Sequence, residues 1–282
     1  MKRIKIADFV IYIILLIVAF VTLLPILYTV FGAFKTNMEI LSHPERLVSR
    51  EPTIDNFVQI FKSEDFNVLR MFLNSILYSG VYVIASVLFS VMSAYAFARG
   101  KFIGKKMWFA IFTGMMFINL GSVTVYPLFE ILGKVHLSTS LYSLMVLQLF
   151  GINSIYIILI KSYIETLPKE LDESARIDGC GVMKILFKII LPLLKPIIAT
   201  ITILSFQLSW NDYIMPQIFT ASFPLQRTLT VGIVALKNSG DGASATNLML
   251  AGAVFSILPV LIIYCACNKF FVSGLSAGAV KG

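Results

Sequence analysis

Six stretches of this chain are each long and apolar enough to cross a bilayer, and that pattern constrains the fold more than any other feature. They cover roughly 9–31, 71–96, 107–129, 141–161, 196–216 and 248–268, and about 20 apolar residues suffice to span hydrocarbon. Apart from Asp212, close to one end of the fifth, no Lys, Arg, Asp or Glu falls in their interiors. Inside a bilayer every backbone polar group must be satisfied internally, so only helices and closed barrels cross. A barrel would read as short alternating strands, whereas uninterrupted apolar runs read as helices. Composition agrees: 58% of the 282 residues are hydrophobic and 13% are charged, about half the charged share usual in soluble domains. The apolar run from Phe9 to Phe31 follows a basic head. It is too long for the core of a signal peptide and reads as the first membrane helix. The expected fold is an all-α integral membrane protein of six transmembrane helices.

The net charge of +8 reads as topology rather than as a nucleic-acid footprint. Basic residues sit in loops beside apolar runs, and no basic-aromatic patch suited to nucleic acid interrupts them. Fifteen of the 23 basic residues fall in the N-terminus, the 97–106 loop, the 161–195 loop and the tail. The positive-inside rule therefore places both termini in the cytoplasm. The expected division is an N-terminal transmembrane helix (1–34), an extracytoplasmic loop (35–70), a core of five transmembrane helices (71–268) and a cytoplasmic tail (269–282). A short helix is expected after Thr53 or Asp55, either of which suits an N-cap. Asn238 to Ala245, in the second outside loop, is a turn-rich run.

Several functions are excluded by what is missing. Cys180, Cys265 and Cys267 form no paired disulfide framework, and no His, Asp or Glu lies near the C-x-C to complete a metal site. No H-E-x-x-H, G-x-S-x-G or P-loop pattern is present, so the chain is expected to be no enzyme and to hold neither metal nor cofactor. An ion-coupled transporter normally carries intramembrane carboxylates or histidines as a relay, and the helix cores here hold none. No charged ring or carbonyl-filter motif supports a channel.

The long cytoplasmic loop 161–195 carries the strongest signal. From Pro168 to Pro196 it reads as helix, break, helix. Pro168 suits a first turn, and Glu170, Asp172 and Glu173 follow where the helix dipole favours acid. Gly179 and Gly181 flank a break. Val182, Ile185, Leu186, Ile189 and Ile190 then repeat at helical spacing, before Pro192 and Pro196 lead into the fifth membrane helix. Such a segment would lie across the cytoplasmic face and offer a short charged helix to a partner.

The run E-S-A-R-I-D-G, which ends ten residues before I-I-L-P begins, resembles the "EAA" loop of ABC importer permeases. Ala94-Tyr-Ala-Phe-Ala-Arg99 with Gly104-Lys-Lys106, Asn74-Ser75, Trp210-Asn211-Asp212 and the tail Gly274 to Gly282 resemble the maltose-type carbohydrate permeases, in order over nearly the whole chain. The resemblance implies a type I ABC importer permease fold in a bacterial cytoplasmic membrane. It implies a second permease subunit, in a heterodimer, two cytoplasmic ATPase subunits and an extracytoplasmic solute-binding protein. It implies ATPase coupling through Glu173, Ser174, Ala175, Asp178 and Gly179, with Ser174 standing where alanine is usual, and an ATPase-facing tail at Gly278, Lys281 and Gly282.

Polar residues within the apolar segments are candidates for the pore: Asn74, Asn119, Gln148, Asn153, Gln207 and Asn211, with hydroxyls at Ser75, Ser79, Ser122 and Ser209. Interhelical hydrogen bonding explains any one of them equally well. As a set, neutral amides and hydroxyls suit a neutral, hydroxyl-rich solute. Trp210 and Tyr213 fit interfacial anchors or ligand-stacking rings. The expected function is the permease half of an ATP-driven sugar importer. The alternatives are a permease for another polar solute or a stand-alone secondary transporter.

Overall fold

The computed structural model describes residues 6–62, 66–118, 121–135, 137, 139–151, 153–238 and 246–279, excluding the side chains of 6–9, 122, 237–238 and 268–279. Every regular element among them is helical. In order they are α1 (Ile6–Gly32), α2 (Asn37–Ser42), α3 (Asp55–Lys62), α4 (Val68–Arg99), α5 (Lys105–Met115), α6 (Val125–Lys134), α7 (Leu141–Leu149), α8 (Ser154–Thr166), α9 (Glu170–Ile177), α10 (Val182–Ile185), α11 (Leu191–Leu193), α12 (Lys195–Trp210), α13 (Ile214–Phe219), α14 (Leu229–Asn238) and α15 (Thr246–Ala279). Four stretches are long and apolar enough to cross a membrane: Val10–Gly32, Val68–Arg99, Leu141–Thr166 and Thr246–Cys267. The pair Val182–Leu193 and Lys195–Trp210, bent by 83°, makes a fifth if taken as one span. Within Val10–Gly32 the apolar side chains are outward, Leu16 being 71% exposed. Water would not tolerate so large an apolar surface, and lipid does.

The segment 107–129 is not one helix. At the end of α5 the N–H groups of Met116, Phe117 and Ile118 bond to carbonyls three residues back, at Thr113, Gly114 and Met115, the tightening that ends an α-helix. A 3₁₀ turn at Gly121–Thr124 precedes α6, and its first residue has φ 49°. The segment 141–161 is likewise two helices, each with its own N-cap. The Ser140 hydroxyl accepts from Ser143 N–H at 3.1 Å, and the Asn153 amide oxygen accepts from Ile155 N–H at 3.0 Å. At the other end of the chain, α15 continues to Ala279, beyond the apolar stretch.

The chain forms two compact units, Met1–Leu69 with Val231–Leu258, and Arg70–Thr230 with Pro259–Gly282. The first is organised by a buried amide. Asn56, 2% exposed, donates to the carbonyls of Ala33 and Lys35 at 2.8 Å each and accepts from Asn247 at 2.7 Å. The buried Lys35 ammonium donates to the Arg46 carbonyl. Glu39 accepts from the Ser49 hydroxyl at 2.5 Å and the Arg50 N–H at 2.9 Å. Thr53, not Asp55, caps α3: its hydroxyl accepts from Asp55 N–H at 3.0 Å.

The core of the second unit joins α4, α8, α9, α10 and α12. Ile157, Ile160 and Ile164 of α8 are fully buried, as are Ile185, Ile190 and Ile201. The chain reaches α12 through a π-helical turn at Leu186–Ile190. Pro192 and Pro196 lack the N–H groups that would continue an α-helical ladder, so the chain turns sharply before α12.

Candidate functional site

The segment 168–192 folds as the helix, break and helix that its sequence spells. Its first helix, α9, ends in a Schellman motif. Cys180 N–H bonds to the Ala175 carbonyl at 2.9 Å and Gly179 N–H to the Arg176 carbonyl at 3.0 Å. Gly179 stands in the left-handed region at φ 76°, where a side chain would strain the backbone. The two faces of α9 differ. Ala175 is buried against the isoleucine core, while Glu173, Ser174, Asp178 and Gly179 face outward. Beside them Ile177 is 86% exposed, and Val182 and Met183 are more than half exposed. An acidic and hydroxylic ridge with an exposed apolar edge suits a protein partner. Gly278 lies on the helical backbone of α15, and Lys281 and Gly282 lie outside the described residues.

The inner face of α9 is held by a polar cluster. Asp172 accepts from the Tyr95 hydroxyl at 2.5 Å and pairs with Arg99 Nε at 3.1 Å. Both charged side chains are almost fully buried, 5% exposed for Arg99 and 6% for Asp172. Arg99 also donates to the carbonyls of Leu167 at 2.6 Å and Ile164 at 3.2 Å, at the C-terminal end of α8, where the helix dipole favours a cation. One guanidinium thus ties together α4, α8 and α9. Sequence reasoning placed Asp172 among the acids that the helix dipole favours in a first turn and Arg99 in the 97–106 loop. The available signal was an arginine directly after a long apolar helix and an acid three residues ahead of the small Ala175.

A cavity of about 1070 Å³ opens elsewhere in the same unit. Gln148, Gln207 and Asn211 line it, with Tyr78, Tyr82 and Tyr213. Asp212, also in its wall, accepts from the Tyr78 hydroxyl at 2.6 Å. Asn153 lines a smaller cavity of about 380 Å³ that shares Tyr82 and Gly151 with the first. The other polar candidates are placed differently. Asn74 donates to the carbonyls of Leu225 and Arg227 at 3.0 Å each. The Ser75 hydroxyl accepts from Leu229 N–H at 2.8 Å. Ser79 is buried. Ser209 does line the larger cavity, but its hydroxyl donates back to the Ser205 carbonyl at 2.9 Å. Asn119 and the side chain of Ser122 lie outside the described residues. Trp210 is neither an interfacial anchor nor a ring facing a ligand. It is 2% exposed, stacked on Phe206 at 5.2 Å and edge-on to Phe72 at 5.9 Å.

The family described as "Binding-protein-dependent transport system inner membrane component" matches residues 2–271. The chain belongs to this family. Among its curated relatives, the galactooligosaccharides transport system permease protein GanQ of Bacillus subtilis (strain 168) is 32% identical over 96% of this chain and 94% of its own. The arabinooligosaccharides transport system permease protein AraQ of Halalkalibacterium halodurans is 32% identical over 94% and 93%. A chain in the crystal structure of a bacterial ABC transporter that imports the acidic polysaccharide alginate superposes with a TM-score of 0.79. It is 26% identical, with 96% of this chain and 98% of that one covered.

The protein is therefore a multi-pass membrane permease of the binding-protein-dependent importers, in agreement with the resemblance carried by its EAA-type loop. As in any such permease, the chain contributes a path rather than covalent chemistry. Among the described residues, the polar cavity wall and the exposed ridge of α9 are the candidate sites for contact with a solute or a partner.

Proposed function

We propose that this permease forms half of the translocation path of an ATP-driven sugar or small-oligosaccharide importer and takes its drive through residues 168–192. The observation that carries the reading is the two-faced α9. Its inner face is locked into the core through Ala175 and Asp172, and its outer face presents Glu173, Ser174, Asp178 and Gly179. A cytoplasmic ATPase docked on that face would move a structured element rather than a loose loop. Two such ATPases, a second and different permease subunit and an extracytoplasmic solute-binding protein complete the assembly. The tail at Gly278, Lys281 and Gly282 faces the ATPases.

Six membrane crossings with both termini in the bacterial cytoplasm put this ridge on the ATPase side. The six comprise 1–34 and five more within 71–268, with α5 and α6 together making the third. The solute-binding protein docks on the 35–70 and 217–247 loops. Amides at Gln148, Gln207, Asn211 and Asn153, with nearby phenols, offer neutral hydrogen bonds to a polyhydroxylated solute. The Gln148 side-chain oxygen has no hydrogen-bond partner among the described residues. The names of the curated relatives, which specify oligosaccharides, support the same substrate class; another polar solute is the alternative.

Purification of the tagged chain from detergent-solubilised native membranes, followed by mass spectrometry, is the test. Recovery of an ATPase, a second permease and a solute-binding protein is expected. Glu173→Arg is expected to deplete the ATPase at least about tenfold, the loss of a charge contact plus repulsion. Unchanged ATPase recovery with this variant would remove Glu173 from the docking surface.

A further inference from the structure

Helix α4 runs unbroken from Val68 to Arg99 and contains no proline. Near each end it carries a buried tyrosine whose hydroxyl donates to an aspartate on another element. Tyr95, 5% exposed, bonds to Asp172 of α9, where Arg99 joins it. Tyr78, 2% exposed, bonds to Asp212 in the wall of the larger cavity. The two tyrosines are 17 residues apart, about 26 Å along a helix rising 1.5 Å per residue. Around Tyr78, Asn74 and Ser75 pin the same helix to Leu225, Arg227 and Leu229. Apolar packing lets helices slide past one another, whereas short hydrogen bonds to carboxylates are directional and strong. A stiff helix gripped in this way at both ends transmits displacement.

We propose that α4 is a tie rod between the coupling helix and the cavity, with Tyr95, Arg99 and Tyr78 as its positioning residues. This rests on the reading of 168–192 as the ATPase-docking segment. When α9 is displaced, Asp172 draws the end of α4 with it, and Tyr78 passes the motion to Asp212 and so to the junction of α12 and α13. The grips at the two ends act in series: Tyr95 shares the one on Asp172 with Arg99, so its loss weakens the coupling, whereas loss of the Tyr78 bond releases α4 from Asp212.

The test uses the complete importer in proteoliposomes. A maleimide reports on a thiol introduced by Leu208→Cys, an exposed position of the cavity wall, with the native cysteines replaced. Trapping the ATPases with ATP and vanadate is expected to change the labelling rate about fivefold or more, the lower end of ordinary allosteric coupling. Tyr78→Phe is expected to abolish most of that response and Tyr95→Phe to reduce it, with ATPase recovery unchanged in both and the nucleotide-free rate unchanged in Tyr95→Phe. The double variant is expected to lose no more than the worse single one. A full response in either single variant, or losses that multiply in the double, overturns the tie rod.

A second measurement needs no loss of a hydrogen bond. Spin labels at Ala96→Cys and Glu170→Cys should keep the same separation in nucleotide-free and trapped importer, because α9 and the end of α4 move together. A changed separation overturns the proposal. Failure of the docking reading is distinguishable, since it appears as Glu173→Arg retaining both the ATPase and the nucleotide response.

Discussion

At the residue scale, the segment 168–192 depends on two side chains and one missing side chain. Asp172 and Arg99 form a buried ion pair with its remaining valences used by Tyr95 and by the end of α8. Removing one partner of such a pair leaves an uncompensated buried charge, at a cost of about 3–5 kcal/mol. Asp172→Ala should therefore lower the thermal unfolding midpoint of the detergent-solubilised permease markedly. Asp172→Asn, which still accepts from Tyr95, should lose less. Equal midpoints for the two variants, both of which lack the charge, would mean that the hydrogen bond from Tyr95 adds nothing beyond it. A methyl group added at Gly179 would meet no atom of the described residues within 4 Å, so space is not at issue. The left-handed backbone alone should make Gly179→Ala cost about 1–2 kcal/mol, and Gly179→Asn less. Urea titration of the solubilised protein would show the order.

At the element scale, helix breaks come from local chemistry that apolar content conceals. Asn153 starts a second helix inside a run that hydropathy reads as one, Ser140 having started the first at its edge. The bend before α12 follows from prolines at 192 and 196, whose missing N–H groups no environment restores. The 36–51 segment is held by another local device. Hydrogen bonds from Ser49 and the Arg50 N–H hold the Glu39 carboxyl below its ordinary value of 4.5. A depressed folded value means that the contribution is fully present above the unfolded value and disappears as pH falls through the folded one. The ratio of measured to intrinsic hydrogen exchange in 36–51 should thus be flat from neutral pH down to about 4.5 and rise below it, in line with carboxylate linkage. In Ser49→Ala the rise should begin at higher pH. A rise at the same pH in both proteins would show that another group controls the segment.

At the scale of the whole molecule, the apolar girth of Val10–Gly32 and the other spans places the chain in a bilayer, and the distribution of its basic residues predicts an orientation. Thiol labelling checks that orientation in whole cells. With native cysteines replaced, an impermeant maleimide should reach Glu51→Cys from outside, and Lys106→Cys only after the membrane is opened. The reverse pattern would invert the topology and with it the assignment of α9 to the ATPase side.

Membrane class, helical architecture and the two-part coupling loop were legible in the sequence because each depends on near neighbours. Apolar run length, glycine at a helix end and proline after it are short-range properties, and their physics acts within a few residues. Family membership was legible for a related reason: several short motifs stand in register along the chain. The amides were legible as polar but not as to role. Asn74 and Gln148 have similar chemistry, and only folding aims the first at the carbonyls of Leu225 and Arg227 and the second at a cavity. Asp172 meets Arg99 across 73 residues, and Tyr78 meets Asp212 across 134. No local pattern encodes such meetings, because burial makes a charge seek its partner wherever packing brings one within hydrogen-bond reach.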